Sequence, residues 1–138
     1  MSRPWVALSM LLFSFPACGT QGGEGAAAGG FKLPAEDCTP LYEPNFDNIY
    51  AFTLTQSCAV SGVCHGPPEG KAGLTFQNAN DSYDMLLAGY VDPGDPAASD
   101  LLFRLSDEAG ALQMPPGSAL GATERCAIAT WIREGAVR

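Results

Sequence analysis

Residues 58–66 read Cys58-Ala59-Val60-Ser61-Gly62-Val63-Cys64-His65-Gly66. Five residues separate the two cysteines, and the second is followed at once by the only histidine in the chain. On either side of this stretch, apolar residues recur at helical spacing. Upstream, Phe46–Gln56 carries Ile49, Phe52 and Leu54, with Asn45 or Asp47 as N-cap. Downstream, Ser82–Ala88 follows the cap candidates Asn80 and Asp81 and runs into Gly89 as a stop signal. Ser99–Leu105 follows Pro93-Gly94-Asp95-Pro96 and sets Leu101, Leu102 and Leu105 on one side. Thr123–Glu134 sets Ile128, Trp131 and Ile132 at helical spacing and ends at Gly135. No stretch alternates convincingly with a period of two residues. The prediction is an all-α fold, a small bundle of short helices with long Pro/Gly loops, which 16 glycines and 11 prolines would supply.

With 138 residues there is room for one domain at most. An apolar content of 46% against 16% charged residues excludes a disordered polyelectrolyte. Short helices in a chain of this size bury a modest core, so disulfides, a cofactor or both should help hold it together. Acidic residues outnumber basic ones 15 to 7, and a net charge of −8 leaves no basic footprint for nucleic acid. The five cysteines are an odd number, so they cannot all pair internally.

The N-terminus accounts for one of them. Arg3 precedes the uncharged apolar run Trp5–Phe15, which is shorter than the ~20 residues a permanent membrane span needs. Residues 1–17 therefore read as a secretory signal peptide. The run ends in Phe15-Pro16-Ala17-Cys18, which resembles the lipobox of bacterial lipoproteins, with Phe15 where leucine is usual. That resemblance implies lipidation of Cys18; an ordinary signal peptide with a cysteine near the cut is the alternative. Residues 18–35 would then comprise the lipidated cysteine and a flexible tether, since Gly19–Gly30 is nearly all Gly and Ala. The folded domain is assigned to 36–138. It retains Cys38, Cys58, Cys64 and Cys126, an even count suited to an oxidising compartment.

A cysteine followed directly by histidine, with another cysteine shortly before, is the pattern for covalent haem attachment. Two thiols bond two vinyl groups held at fixed separation on one porphyrin, and the adjacent histidine lies under the iron. The usual spacer has two residues, whereas this chain has five. The additional residues would have to bulge outward, and Gly62 could ease the bulge by adopting positive φ. A lone histidine is more often structural or solvated than a ligand, but its place after Cys64 points to a ligand. Met114-Pro115-Pro116 offers a second axial ligand in a proline-fixed loop, and a His/Met pair raises the reduction potential. The plain alternative for Met114 is a filler of core gaps.

In this order of features the chain resembles the class I cytochrome c domains, in particular the short lipoprotein forms of gram-negative bacteria. The resemblance covers roughly Asn45–Val137. It includes the helix leading into Cys58, then Cys64-His65-Gly66 and Gly73–Phe76. It continues through Val91-Asp92-Pro93-Gly94-Asp95-Pro96 with Ser99-Asp100-Leu101-Leu102, then Met114-Pro115-Pro116 and Trp131-Ile132-Arg133-Glu134-Gly135-Ala136. It implies haem c attached at Cys58 and Cys64, with His65 as proximal and Met114 as distal ligand of the iron. The first and last helices of such domains touch, so a Cys38–Cys126 bridge would staple the leading arm to the last helix. Four cysteines allow three pairings, and free thiols are the other possibility. Arg104 reads as an exposed helix charge or a partner for a haem propionate. Asp81, Asp84, Asp92, Asp95 and Asp100 lack calcium-loop spacing and read as caps and turn residues.

The resulting expectation is an electron carrier and not an enzyme. It would sit on the cell envelope, periplasmic or at the outer membrane, and meet the membrane through lipid at Cys18. Its acidic surface would suit a redox partner protein with a basic patch. The alternative is a haem-free lipoprotein module with a binding or structural role, stapled by disulfides, in which Cys58 and Cys64 bond to each other. A thiol oxidoreductase would need a two-residue spacing within a βαβ unit, and neither is present. A Ser–His–acid set is excluded because the one histidine is already assigned.

Overall fold

The computed structural model describes residues 30–138. The proposed signal peptide, Cys18 and the tether as far as residue 29 lie outside them. The described residues form an all-α fold with no strands. The helices are α1 (Phe46–Ile49), continued by a π-helical segment (Tyr50–Cys58), then α2 (Ala79–Leu87), α3 (Asp100–Arg104) and α4 (Ala122–Arg133). Short 3₁₀ segments at Lys71–Gly73 and Asp107–Leu112 interrupt the loops, and the sequence pattern did not reveal them.

Asn45, one of the two expected caps, starts α1 by accepting the Asn48 N–H at 2.9 Å. The helix then widens, and its last turn closes with Ala59 N–H donating to Leu54 O, five residues back, at 2.8 Å. Widening changes which side chains face inward. Ile49 and Leu54, five apart, are both buried, whereas Phe52 is 55% exposed and leans on Tyr42 with ring centroids 5.5 Å apart. The assignment of Phe52 to the apolar face assumed 3.6 residues per turn, and the wider helix overturns it.

The second helix begins earlier than its apolar pattern indicates. Asn78, not Asn80 or Asp81, is its N-cap and accepts the Asp81 N–H at 3.0 Å. Leu101, Leu102 and Leu105 are buried as expected. In α4 the residues Cys126–Ala129, Trp131 and Ile132 are all buried, and Gly135 reverses the chain at φ +96° just past the end. Phe46 meets Trp131 at 5.5 Å and Tyr83 at 5.1 Å between ring centroids, joining α1, α2 and α4. Burying each such side chain is worth ~1.5–3 kcal/mol. Polar ends are satisfied as well: Trp131 Nε1–H donates to Val137 O at 2.8 Å, and Tyr83 O–H to Ala136 O at 2.9 Å.

Cys38 and Cys126 form a disulfide with Cα atoms 6.0 Å apart. The bridge ties the leading arm to the buried side of α4, as the family resemblance implied.

Candidate functional site

The π-helical segment delivers Cys58 to the wall of a cleft and places buried Thr53 and Leu54 beside it. The chain then folds into a tight loop before His65. Cys64 N–H and Gly66 N–H both donate to Ser61 O, at 3.0 and 3.1 Å. His65 N–H donates to Cys58 O at 2.9 Å and closes the loop at its base. The outward bulge expected from the five-residue spacer is present, and Val60 and Val63 on it are exposed. Gly62 does not work as expected, because it is not among the positive-φ glycines. A methyl group there would sit 3.6 Å from its nearest neighbour, an ordinary contact. Gly66 is the glycine the loop requires: a Cβ on it would lie 2.8 Å from both Ala59 O and Ser61 O.

His65 is oriented by a backbone carbonyl. Its Nδ1 lies 3.0 Å from Leu74 O. A carbonyl can only accept, so this contact puts the proton on Nδ1 and leaves the Nε2 lone pair for a metal. The segment carrying Leu74 is pinned in turn, since Phe76 N–H donates to His65 O at 2.7 Å and Lys71 N–H to Cys64 O at 2.6 Å. The Phe76 ring stands edge-on to the imidazole at 5.7 Å. Met114 enters from the other end of the sequence, after the 3₁₀ segment. Its N–H donates to Arg104 O at 2.7 Å, which anchors the Met-Pro-Pro loop to the end of α3.

These residues meet at one cleft. It is open to solvent at its mouth, and about 140 Å³ of its interior is accessible to a water-sized molecule. Its lining is mostly apolar, with Leu54, Leu74, Phe76, Leu101, Leu105 and Ile128 joined by Cys58, His65 and Met114. A second, adjoining pocket is lined by Cys58, Cys64, His65, Met114, Pro115 and Pro116. All four residues singled out in the sequence are therefore brought together, with Cys64 at the outer pocket only. An apolar slot holding one free imidazole nitrogen, one thioether and two thiols fits haem in its donor set and its lining. Cys58, Cys64, His65 and Met114 are the residues that would hold it. Among the described residues, no group of three or more His, Cys, Asp and Glu side chains could hold a metal ion.

The sequence did not point to several wall residues. Lys71 is one of two cations on the cleft, the other being Arg104, which is paired with Asp100 at 2.6 Å and also faces the cleft. Tyr90 and Thr53 are its other polar members. Thr53 is fully buried, bonded to the Tyr42 hydroxyl, and donates to Glu124 Oε1 at 3.3 Å. Leu74 acts through its main-chain carbonyl, which no residue-type pattern can reveal.

Burial pushes the Cys58 thiol up to about 12, and the Glu124 carboxylate and Cys64 push the same way. Burial also raises the Tyr42 phenol against its bond to Thr53. Cys58 and Cys64 carry free thiols, so the bridge between them that the haem-free alternative requires is not formed.

A helical fold with an apolar cleft flanked by a Cys-His pair and a methionine has the features of a cytochrome c-like domain. The family model described as Planctomycete cytochrome C (PSCyt1) matches residues 63–118, which include Cys64, His65 and Met114, and it supports that description. The match spans less than half of the chain and begins after Cys58. No curated protein and no solved structure matches the chain.

Proposed function

We propose that the protein is a haem c-binding electron-transfer module of the bacterial cell envelope, in which His65 and Met114 would ligate the haem iron. The observation that carries this is His65 itself: its Nδ1 is tied to Leu74 O at 3.0 Å, while its ring shares an apolar cleft with Met114. The haem iron would supply the redox couple, alternating between Fe(III) and Fe(II). The protein's part is to hold, orient and insulate. Leu74 O fixes the imidazole and makes Nε2 a stronger donor. The hydrogen bond from Met114 N–H to Arg104 O and the two prolines after it hold the thioether in place. Thioether ligation and an apolar wall both favour the reduced state and raise the potential. Lys71 and Arg104 are the cations placed to meet acidic groups on a ligand. No substrate bond breaks, so the role is that of a carrier and not of an enzyme.

The cellular setting belongs to the same proposal. Cys18 carries lipid, the Gly/Ala stretch Gly19–Gly30 within residues 18–35 tethers the domain to a membrane, and the acidic chain meets a redox partner with a basic patch. Expression of the full chain with covalent-haem maturation machinery tests the reading. The purified protein should show a Soret band that survives denaturation and acid–acetone extraction. A colourless protein would refute it. Replacing Cys18 with serine should release the protein from membranes, and continued retention would refute the anchor.

A further inference from the structure

We infer that three of the five residues between Cys58 and Cys64 are looped out, so that both thiols bond haem as they would across a two-residue spacer. The inference rests on the haem reading above and specifies how the group is attached.

The backbone supplies the argument. In an ordinary helical turn an N–H donates to the carbonyl four residues back. Across a two-residue spacer, the histidine stands four residues after the first cysteine. Here His65 N–H donates to Cys58 O at 2.9 Å across seven positions. The bond therefore spans three residues more than a helical turn, and the spacer is three residues longer than usual. The two excesses cancel, and Cys58 and His65 are joined as the ends of a single turn would be.

The loop shows that the additional residues are accommodated outside the cleft. Ser61 O takes both the Cys64 and the Gly66 N–H, so the loop closes on itself without using groups of the cleft wall. Val60 and Val63 are 60% and 82% exposed. Gly66 lets the loop backbone fold tightly onto the Cys-His-Gly segment, where a Cβ would meet two carbonyl oxygens at 2.8 Å. Cys58 and Cys64 consequently border the same pocket together with His65 and Met114.

Attachment at each site is an addition. The thiol S–H adds across one vinyl C=C, its sulfur bonding one carbon and its hydrogen ending on the other. Nothing leaves and no electrons are transferred. Two thiols consume both vinyl groups of one haem.

The test uses the full chain, matured with haem, denatured without reductant, treated with iodoacetamide and digested. Both Cys58 and Cys64 should resist alkylation and appear in one haem-bearing fragment. A haem protein in which either thiol is alkylated would overturn the inference while leaving the haem reading intact. A protein that takes up no haem would overturn the reading first and the inference with it. Deletion of Val60–Gly62 restores a two-residue spacer and should leave the α-band wavelength unchanged. A wild-type α-band at longer wavelength than that of the deletion variant would reveal an unreacted vinyl group and overturn the inference. The alkylation result decides the matter if the deletion variant does not fold.

Discussion

Removing the Cys38–Cys126 bridge should bring this domain close to unfolding. The bridge joins residues 88 apart in sequence and ties the leading arm to α4. For a loop of that length, chain entropy gives about 15 cal/mol/K, or about 4–5 kcal/mol at 25 °C. A further ~1 kcal/mol is expected from loss of the Cys126 sulfur, which is 1% exposed and packed among core residues. Small domains have ~5–15 kcal/mol in total, so the double variant Cys38→Ala/Cys126→Ala would lose a large share. Urea unfolding followed by Trp131 fluorescence is a suitable assay, because that indole lies in the core beside Phe46. With a slope of about 2 kcal/mol/M, the combined loss of about 5–6 kcal/mol should lower the midpoint by about 2.5–3 M. The consequence reaches the cleft, since Ile128, two residues beyond Cys126, forms part of its wall. A midpoint lowered by less than about 0.5 M would show that the bridge does not restrict the unfolded chain as reasoned here.

Other tests act on the site itself. Gly66→Ala should destabilise the protein by about 1–3 kcal/mol because its Cβ meets two backbone oxygens, whereas Gly62→Ala should stay within about 0.5 kcal/mol of wild type; equal thermal midpoints for the two variants would contradict the loop geometry. Thr53→Val should cost about 1–3 kcal/mol in thermal or urea unfolding, because it removes a partner of both Tyr42 and Glu124, and an unchanged midpoint would exclude a stabilising network. In the haem-free chain, Cys58 binds its proton more tightly when folded (about 12) than the ordinary thiol does at 9.0. The stability this contributes is present below pH ~9 and is lost as pH rises through about 12. Iodoacetamide should therefore modify Cys58 much more slowly in the folded chain than in urea at pH 8, and equal rates would refute the burial argument.

Much of the fold was legible because amphipathic spacing survives in short helices. Ile128, Trp131 and Ile132 marked α4, and Leu101, Leu102 and Leu105 marked α3. Where the helix was not an ordinary α-helix, the reading failed: Phe52 was placed inward by a 3.6-residue period that the π-helical turn does not follow. The start of α2 was missed because the cap, Asn78, precedes the apolar residues that define the pattern. The site was legible through its reactive side chains, since Cys58, Cys64, His65 and Met114 announce their chemistry by type and order. Its supporting shell was not. Leu74 contributes a carbonyl, and Gly66 contributes the absence of a side chain. Lys71 and Thr53 reach the wall only through tertiary packing. The significance of the long spacer was also hidden, because it depends on one backbone hydrogen bond between His65 and Cys58.

The most direct test of the central claim, His65/Met114 ligation of haem iron in this cleft, is the near-infrared spectrum of the oxidised, haem-loaded protein beside that of Met114→Ala. The wild type should show the sulfur-to-iron charge-transfer band, and the variant should lose it while its reduction potential drops. A band absent from the wild type, or a spectrum unchanged by the substitution, would contradict the assignment.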